Sequence, residues 1–290
     1  MNGIIIIDKP SGWTSHDVVA KLRGALGVKR VGHGGTLDPM ATGVLPVFVG
    51  RATRAVEFCE NAEKEYIAGL RLGVVTDTQD ITGNTLSTAD ASVSVEEMTD
   101  TLLRFMGQQK QIPPMYSAIK RDGKKLYELA RRGVEVPREA RDVNISCMEL
   151  LDGAGSEFLF RVVCSKGTYI RTLCHDVGAA LGCGGTMSSL RRTRAGAFTI
   201  DRAHTLDSIL AAVAGGATED MLLPVDTIFS EFPAITLSVG DAGRCKHGAA
   251  LKLAQTADGR YRFYAPDGEF LMLGVADKGV VKIAKGFFEV

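Results

Sequence analysis

Residues 32–43 read Gly32-His33-Gly34-Gly35-Thr36-Leu37-Asp38-Pro39-Met40-Ala41-Thr42-Gly43. This run suits neither a helix nor a strand, because glycine is conformationally permissive and proline lacks a backbone donor. We therefore expect a shaped loop that holds the carboxylate of Asp38 in a fixed orientation. An Asp-Pro pair also begins many ordinary turns, and the stretch by itself leaves that alternative open.

The composition is that of an ordinary globular protein. The chain has 290 residues, of which 45% are hydrophobic and 23% charged, and this length suggests one large domain with a small one. Lysine and arginine (34) balance aspartate and glutamate (34). Residues 57–100 are nevertheless acidic, whereas 110–141 and 161–202 are basic. Clustered cations suit a polyanion even at zero net charge, although solvated surface charge with no partner gives the same pattern.

The cysteine pattern and the N-terminus indicate a reducing compartment. No Cys-x-x-Cys pair and no zinc-like Cys/His spacing occur in the sequence. The apolar run near the N-terminus is too short for a signal peptide or a membrane span. No phosphate-binding glycine loop or nucleotide fingerprint is present. We expect a cytoplasmic protein that is not in a membrane and that uses no metal and no cofactor.

Hydrophobic patterning predicts mixed strands and helices, followed by a strand-rich end. Strands are predicted at 4–7, 45–49, 66–72, 144–150, 158–164 and 197–200. The strands 144–150 and 158–164 are expected to pair as a hairpin. One helix is predicted to begin at a cap formed by Thr14 or Ser15 and to end near residue 26. Another follows residues 50–54 and continues through 58, and a third runs from a capping box at Ser94 to about 106. Further helices are predicted over 124–132, 169–181 and 206–214. Residues 77–90 are predicted to form a loop. Strands at 235–237, 261–265, 270–275 and 280–283, with no helix of length, predict a small β-rich domain over 232–290 after a larger domain over 1–231.

Further motifs accompany the Asp38 loop in a fixed order. They are IIDKPSGWTS (6–15), KEY (64–66) with LGVVTDTQD (72–80), PPMYSAIK (113–120), CSKGTYIRTL (164–173) and SLRRT (189–193). Together with the loop they resemble the TruB family of bacterial tRNA pseudouridine-55 synthases across about the first two hundred residues. The resemblance implies an α+β fold with a mixed, mainly antiparallel sheet flanked by helices. Residues 232–290 weakly resemble the PUA-type RNA-binding module. Gly185-Thr186 departs from the pattern, since many relatives have Ala-His in this expected helix–loop.

The resemblance implies that uridine-55 in the T loop of tRNA is detached from C1′ and rejoined through C5. This reaction needs a nucleophile, and an ionised carboxylate serves. We assign that role to Asp38, while attack at C1′ of the sugar and attack at C6 of the base both stay open. Burial favours the neutral form of an aspartate, and a neighbouring guanidinium opposes this because it stays charged. By match to the family motif, Arg171 is that guanidinium.

An enzyme acting on a stacked base must extrude it into a pocket. By resemblance, Tyr66 is the aromatic platform, Tyr169 flanks the base, Leu190 is an apolar wall and His33 stacks on displaced T-loop nucleotides. Taken singly, the tyrosines and the leucine are also ordinary core residues, and the histidine an ordinary loop residue. Candidates for a surface facing the T loop and stem of tRNA are Lys120, Arg121, Lys124, Lys125, Arg131, Arg132, Arg191, Arg192 and Arg194.

Two other functions are compatible with parts of the sequence. A non-catalytic RNA-binding protein could use the same cationic surface, but binding alone requires no carboxylate facing a polyanion. A hydrolase could use His33 and Asp38 as a base or metal pair, but the sequence lacks the further ligands or orienting partner of such sites. We expect the tRNA-modifying enzyme to act as a monomer without a protein partner.

Overall fold

A computed structural model describes residues 1–121 and 123–288 of the chain. Its strands are β1 (Gly3–Lys9), β2 (Val31–His33), β3 (Thr42–Val49), β4 (Lys64–Leu72), β5 (Val74–Thr76), β6 (Thr85–Thr88), β7 (Gly107–Gln111), β8 (Lys120–Arg121), β9 (Lys124–Lys125), β10 (Arg141–Ala154), β11 (Glu157–Cys164), β12 (Gly185–Ala195), β13 (Phe198–Thr199), β14 (His204–Thr205), β15 (Ala234–Thr236), β16 (Leu251–Lys252), β17 (Gly259–Tyr264), β18 (Phe270–Asp277) and β19 (Val280–Gly286). Its α-helices are α1 (Ser15–Leu26), α2 (Val56–Asn61), α3 (Val95–Arg104), α4 (Leu126–Ala130), α5 (Ile170–Ala180), α6 (Leu206–Ala214) and α7 (Val239–Lys246). Short 3₁₀ helices cover Gly50–Ala55, Ile200–Arg202, Glu219–Met221 and Val225–Phe229.

A ten-stranded mixed sheet organises the larger part of the molecule. Its strands lie in the order β14-β1-β3-β12-β4-β11-β10-β7, with β2 paired to β3 and β13 to β12. The pairs β1/β14 and β3/β12 are parallel and the others are antiparallel. The expected α+β fold with a mainly antiparallel sheet flanked by helices is thus confirmed.

Local sequence signals account for several of these elements. The Thr14 hydroxyl caps α1 by accepting a hydrogen bond from the Asp17 amide, and the Thr14 amide donates in return to the Asp17 carboxylate. The Ser94 hydroxyl caps α3 by accepting a hydrogen bond from the Glu97 amide. The hairpin β10/β11 and the helix at 206–214 are also confirmed. The helix predicted over 124–132 is only the short α4, because residues 124–125 pair with β8 instead.

The strand β12 is the main element that the sequence analysis missed. It runs through the centre of the sheet between β3 and β4, where we expected a helix–loop at Gly185-Thr186 and a basic surface beyond it. The charged residues 191, 192 and 194 obscure the apolar alternation that signals a strand. The polar loop expected over 77–90 likewise contains β6, which pairs with β5.

The C-terminal residues form a separate five-stranded sheet in the order β15-β17-β18-β19-β16. The expectation of strands without a helix is wrong at one place, since α7 packs on this sheet and buries Ala242 and Cys245. The sheet is not isolated from the first. The rings of Phe229, Phe270 and Phe287 lie at centroid distances of 5.2–6.1 Å from one another, and these residues pack in one cluster with residues of β1 and β3. The division at residue 232 therefore stays a prediction.

Candidate active site

Asp38 lies in the irregular segment between β2 and β3, as expected from the glycines and proline around it. Its side chain is 35% exposed, so the carboxylate is reachable from solvent. The N-terminal segment holds the loop on the other side. The Leu37 amide donates to Ser15 Oγ at 2.9 Å, and the Gly12 amide donates to the Pro39 carbonyl at 2.8 Å. The Asp38 backbone is thereby held on both flanks.

Lys9 is a second anchor of the Asp38 loop. Its side chain is 0% exposed, and its Nζ donates to the carbonyls of Pro10, Trp13 and Pro39 at 2.9, 2.6 and 3.2 Å. Burial lowers the pKa of Lys9 to about 8, and the charge of Asp38 opposes that shift. Its place in the motif over residues 6–15 is the signal for this lysine in the sequence.

Arg192 holds the loop from within the sheet. It is 1% exposed and donates to the carbonyls of Val44 at 2.7 Å, Gly35 at 3.0 Å and Thr36 at 3.4 Å. A Cβ at Gly43 would overlap the backbone of Arg192, which explains why glycine stands there with φ +101°. The expectation that Arg192 faces tRNA is wrong, because the register of β12 turns this side chain into the core.

Arg171 makes a two-point contact with Asp38. From the first turn of α5 its Nε lies 2.9 Å from Oδ2 and its Nη2 lies 3.4 Å from Oδ1. The guanidinium is 5% exposed, and its remaining donors reach the carbonyls of Thr78 and Tyr116, each at 2.9 Å. Asp80 Oδ2 lies 3.7 Å from Nη1. The sequence analysis missed these supporting groups, because two of them act through backbone carbonyls that carry no side-chain signal.

Tyr66 and Leu190 lie on the neighbouring strands β4 and β12. Both are nearly buried and belong to one apolar cluster with Leu37 and Ala41, which flank Asp38 in the chain. Burial raises the pKa of the Tyr66 hydroxyl, and Arg192 acts in the opposite direction. The phenol is therefore neutral, and Asp38 is close enough for its charge to act on the pKa of Tyr66.

Tyr169 immediately precedes α5 and is half-buried. The side-chain amide of Gln111 fixes its backbone by accepting from the Tyr169 amide at 2.8 Å and donating to its carbonyl at 3.0 Å. Burial raises the pKa of Tyr169, while the Ser117 hydroxyl lowers it. Tyr169 is close enough to Asp38 and Arg171 for both charges to act on that pKa.

His33 stands apart from this group. It ends β2, and its ring meets that of His16 edge-on at 5.2 Å. Burial, with the charges of His16 and Arg192, lowers the pKa of His33 to about 4. Within the described residues its Nδ1 is buried without a hydrogen-bond partner. The ring is thus a neutral plane at neutral pH.

The basic candidates divide by exposure. Lys120, Arg121 and Lys124 are exposed on the β8/β9 hairpin. Arg191 is partly exposed and pairs with Asp8 at 2.8 Å. In the parts of the chain that the structure describes, no three His, Cys, Asp or Glu side chains are grouped to hold a metal ion, and no helix is long and apolar enough to cross a membrane.

Comparison with known proteins gives the family. A profile described as "TruB family pseudouridylate synthase (N terminal domain)" matches residues 23–170, and one described as "tRNA pseudouridylate synthase B C-terminal domain" matches residues 171–230. The chain is 43% identical to tRNA pseudouridine synthase B of Azoarcus sp. (strain BH72) over 282 residues, which are 97% of this chain and 93% of that protein. It is 51% identical to tRNA pseudouridine synthase B of Alkaliphilus oremlandii (strain OhILAs) over 226 residues, which are 78% of this chain and 75% of that protein.

Two solved structures share the fold at substantial identity. One is an H/ACA ribonucleoprotein bound to a substrate RNA containing 2'-deoxyuridine, with a TM-score of 0.75, 29% identity and coverage of 99% of this chain and 85% of that chain. The other is a Cbf5-Nop10-Gar1 complex, with a TM-score of 0.75, 30% identity and the same two coverages. The resemblance seen in the motifs is confirmed, and the chain belongs to the TruB family of pseudouridine synthases, isomerases that modify tRNA.

Proposed function

We propose that this enzyme converts uridine-55 of the tRNA T loop to pseudouridine, with Asp38 as the nucleophile. The observation that carries the proposal is the contact of Asp38 with both Nε and Nη2 of the buried Arg171. A guanidinium in this geometry stabilises the ionised carboxylate and fixes its direction. The same carboxylate is partly exposed, so a substrate atom can reach it.

The reaction is an isomerisation and needs no other reactant. The bond from N1 of uracil to C1′ breaks, and a bond from C5 to C1′ forms. The hydrogen at C5 leaves as a proton and the former N1 gains one, so atoms and electrons balance. Asp38 lowers the barrier by bonding transiently to the substrate, and attack at C1′ and attack at C6 are both compatible with its position.

The apolar surroundings suit a base that has left the RNA stack. In this proposal the flipped uracil lies against the ring of Tyr66 and the side chain of Leu190, with Tyr169 at its other edge. The neutral ring of His33 supports displaced T-loop nucleotides from outside the pocket. A charged imidazolium would be desolvated there, and the low pKa of His33 is compatible with a stacking role.

The RNA surface is proposed to extend from this pocket along exposed cations. The β8/β9 hairpin supplies Lys120, Arg121 and Lys124, and cations of this kind bind phosphates of the T stem with strong salt dependence. Residues 232–290 are proposed to act as a PUA-like RNA-binding domain beside the catalytic residues 1–231.

The two other functions fit the site less well. A hydrolase that used His33 as a base would need a ring that accepts a proton near neutral pH, and burial lowers the pKa of His33 to about 4. A protein that only bound RNA would gain nothing from a carboxylate aimed toward a polyanion, and Arg171 neutralises Asp38 only in part because Asp80 shares the guanidinium.

Tritium release tests the proposal directly. The enzyme is incubated with a tRNA transcript that carries tritium at C5 of uridine, and tritium in water is counted. Wild type should release one tritium per tRNA, and a transcript with cytidine at position 55 should release none. Asp38→Asn should lower the rate by at least about 10³-fold with tRNA binding retained.

A matched substitution controls for the change of charge. Asp142 lies on β10, is exposed and pairs with Lys110 on β7. It can be replaced by asparagine without touching the pocket. Asp142→Asn should keep the wild-type rate. Activity of Asp38→Asn near that of Asp142→Asn would remove Asp38 as the nucleophile, and release from the transcript lacking uridine-55 would refute the proposed site.

A further inference from the structure

The turn formed by Thr78, Gln79 and Asp80 contacts the guanidinium of Arg171 and helps to fix its position. The Thr78 carbonyl accepts from Nη1 of Arg171 at 2.9 Å, and the Asp80 carboxylate lies 3.7 Å from the same atom. Two of the groups that determine where the guanidinium stands therefore come from three consecutive residues. A shift of this turn would move Arg171 relative to Asp38.

The turn is held in a conformation that its own sequence does not favour. Gln79 has φ +62°, in the left-handed region that non-glycine residues rarely adopt. The surrounding structure maintains it. The Met187 amide donates to the Gln79 carbonyl at 3.1 Å, and Thr172 Oγ1 donates to the Gln79 side chain at 2.7 Å. The Ile81 amide donates to the Met187 carbonyl at 2.9 Å. Met187 near the start of β12 thus hydrogen-bonds through its backbone to Gln79 and Ile81 and holds the turn in place.

Two buried hydroxyl groups add a further link between β12 and the turn. Thr186 Oγ1 lies 3.1 Å from Thr76 Oγ1, and Thr76 Oγ1 donates to the Asp80 carbonyl at 2.8 Å. A hydroxyl has one hydrogen, and that of Thr76 is committed to the carbonyl. Thr186 must therefore be the donor to Thr76. The result is a directed chain, Thr186 to Thr76 to Asp80, in which each bond polarises the next.

We infer that Thr186 is a positioning residue for Arg171. Its hydroxyl orients the hydroxyl of Thr76, which donates to the Asp80 carbonyl and so fixes the turn. The Thr78 carbonyl of the same turn accepts a hydrogen bond from the Arg171 guanidinium. Thr186 is fully buried, so in this inference its hydroxyl acts through the turn and Arg171 and not by direct contact with the RNA. This inference rests on the proposed function, in which Arg171 holds the carboxylate of Asp38.

The test uses the full-length enzyme and three substitutions. Thr186→Val keeps the shape and removes the hydroxyl, whereas Thr186→Ser keeps the hydroxyl. Thr101→Val makes the same change at another buried threonine, on α3. We measure single-turnover tritium release, the Kd for tRNA and the melting temperature. One lost hydrogen bond and a displacement well below 1 Å correspond to about a tenfold loss of rate.

The expected pattern separates positioning from stability. Thr186→Val should lose about tenfold in rate at a temperature where it is folded, with Kd unchanged within about twofold. Thr186→Ser should have the wild-type rate. Thr101→Val can lower the melting temperature but should keep the rate. A wild-type rate for Thr186→Val, or a Thr186→Ser variant as slow as Thr186→Val, would overturn the inference.

Combination with Arg171→Lys shows through which residue Thr186 acts. If the hydroxyl chain serves only to place the guanidinium, Thr186→Val should slow Arg171→Lys by less than about twofold. Full tenfold slowing in that background would refute the route through Arg171. Thr76→Val, which removes the middle of the chain, should slow the wild-type enzyme at least as much as Thr186→Val and serves if the latter does not fold. Absence of tritium release by wild type would instead refute the proposed function, and this inference with it.

Discussion

Replacement of Arg171 by lysine isolates the two-point geometry from the charge. Arginine contacts both Asp38 oxygens and two backbone carbonyls from nitrogens that point in different directions. Lysine places all its donors on one atom, so it can keep one contact with Asp38 while leaving the second oxygen and at least one carbonyl without a donor. The substitution preserves the positive charge, and any loss reports on orientation.

The magnitude follows from the contacts that disappear. A hydrogen bond to a charged group contributes about 1.5–3 kcal/mol. Each 1.36 kcal/mol corresponds to about tenfold in rate, so loss of the second Asp38 contact predicts a rate lower by roughly 10- to 150-fold. The carbonyls of Thr78 and Tyr116 also determine where the nitrogen stands, and their loss places the expectation at about 10²-fold. Binding of tRNA should change by less than about threefold, because the guanidinium is 5% exposed and faces a carboxylate.

The assay is single-turnover tritium release with tRNA affinity measured in parallel. Arg161→Lys is the matched control, because Arg161 also bridges two carboxylates, those of Glu65 and Glu149, but does so at the surface of the sheet. Exposed ion pairs contribute little, and this variant should keep its rate within about twofold. Arg171→Lys with more than a third of the wild-type rate, or with affinity lost in proportion to rate, would refute the orienting role.

Three further predictions follow from the site. Tyr66→Phe keeps the stacking surface and should retain the rate within about tenfold, whereas Tyr66→Leu should lose about 10²-fold; equal rates for the two would argue against a stacking platform. Burial lowers the pKa of His33 from 6.5 to about 4. As the pH falls, the unfolded state therefore binds the proton first, and the free energy of unfolding decreases between about pH 6.5 and 4. Above about pH 6.5 the ring is neutral in both states, and its titration does not change the stability. The difference in free energy of unfolding between wild type and His33→Gln should follow that course, and a difference that is flat across it would contradict the buried neutral ring. Arg192→Met should lower the free energy of unfolding by about 3 kcal/mol or more, since the buried Val44 carbonyl and the part-buried carbonyls of Gly35 and Thr36 lose their donor. Arg194→Met should change it by less than about 1 kcal/mol, and equal melting temperatures for the two variants would contradict a stabilising role of Arg192.

The central position of β12 connects these predictions. This strand carries Leu190, which we propose as the apolar wall, and Arg192, which holds the Asp38 loop. It also carries Thr186 and Met187, which contact the segment 76–81 next to Arg171. It pairs with β3 on one side and β4 on the other. The loop with the carboxylate and the support of the guanidinium are thus attached to one rigid element.

The sequence by itself determined what depends on neighbouring residues. Glycines and a proline around Asp38 specify an irregular loop, Thr14 and Asp17 begin α1, and the ordered motifs identify the family. Such signals operate within a few residues, where backbone angles, caps and turns are decided. The identity of the predicted site residues came from the resemblance, since a tyrosine or an arginine considered alone is compatible with core or surface.

Only the tertiary structure decided how the chemical groups meet. Asp38 and Arg171 are 133 residues apart in the chain, and the groups that hold them include backbone carbonyls, which have no signature in sequence. The burial of Arg192 depends on the register of a central strand, because a shift of one residue would turn that side chain to the opposite face. Contacts of this range are fixed by packing of the whole sheet, so the local sequence could not reveal them.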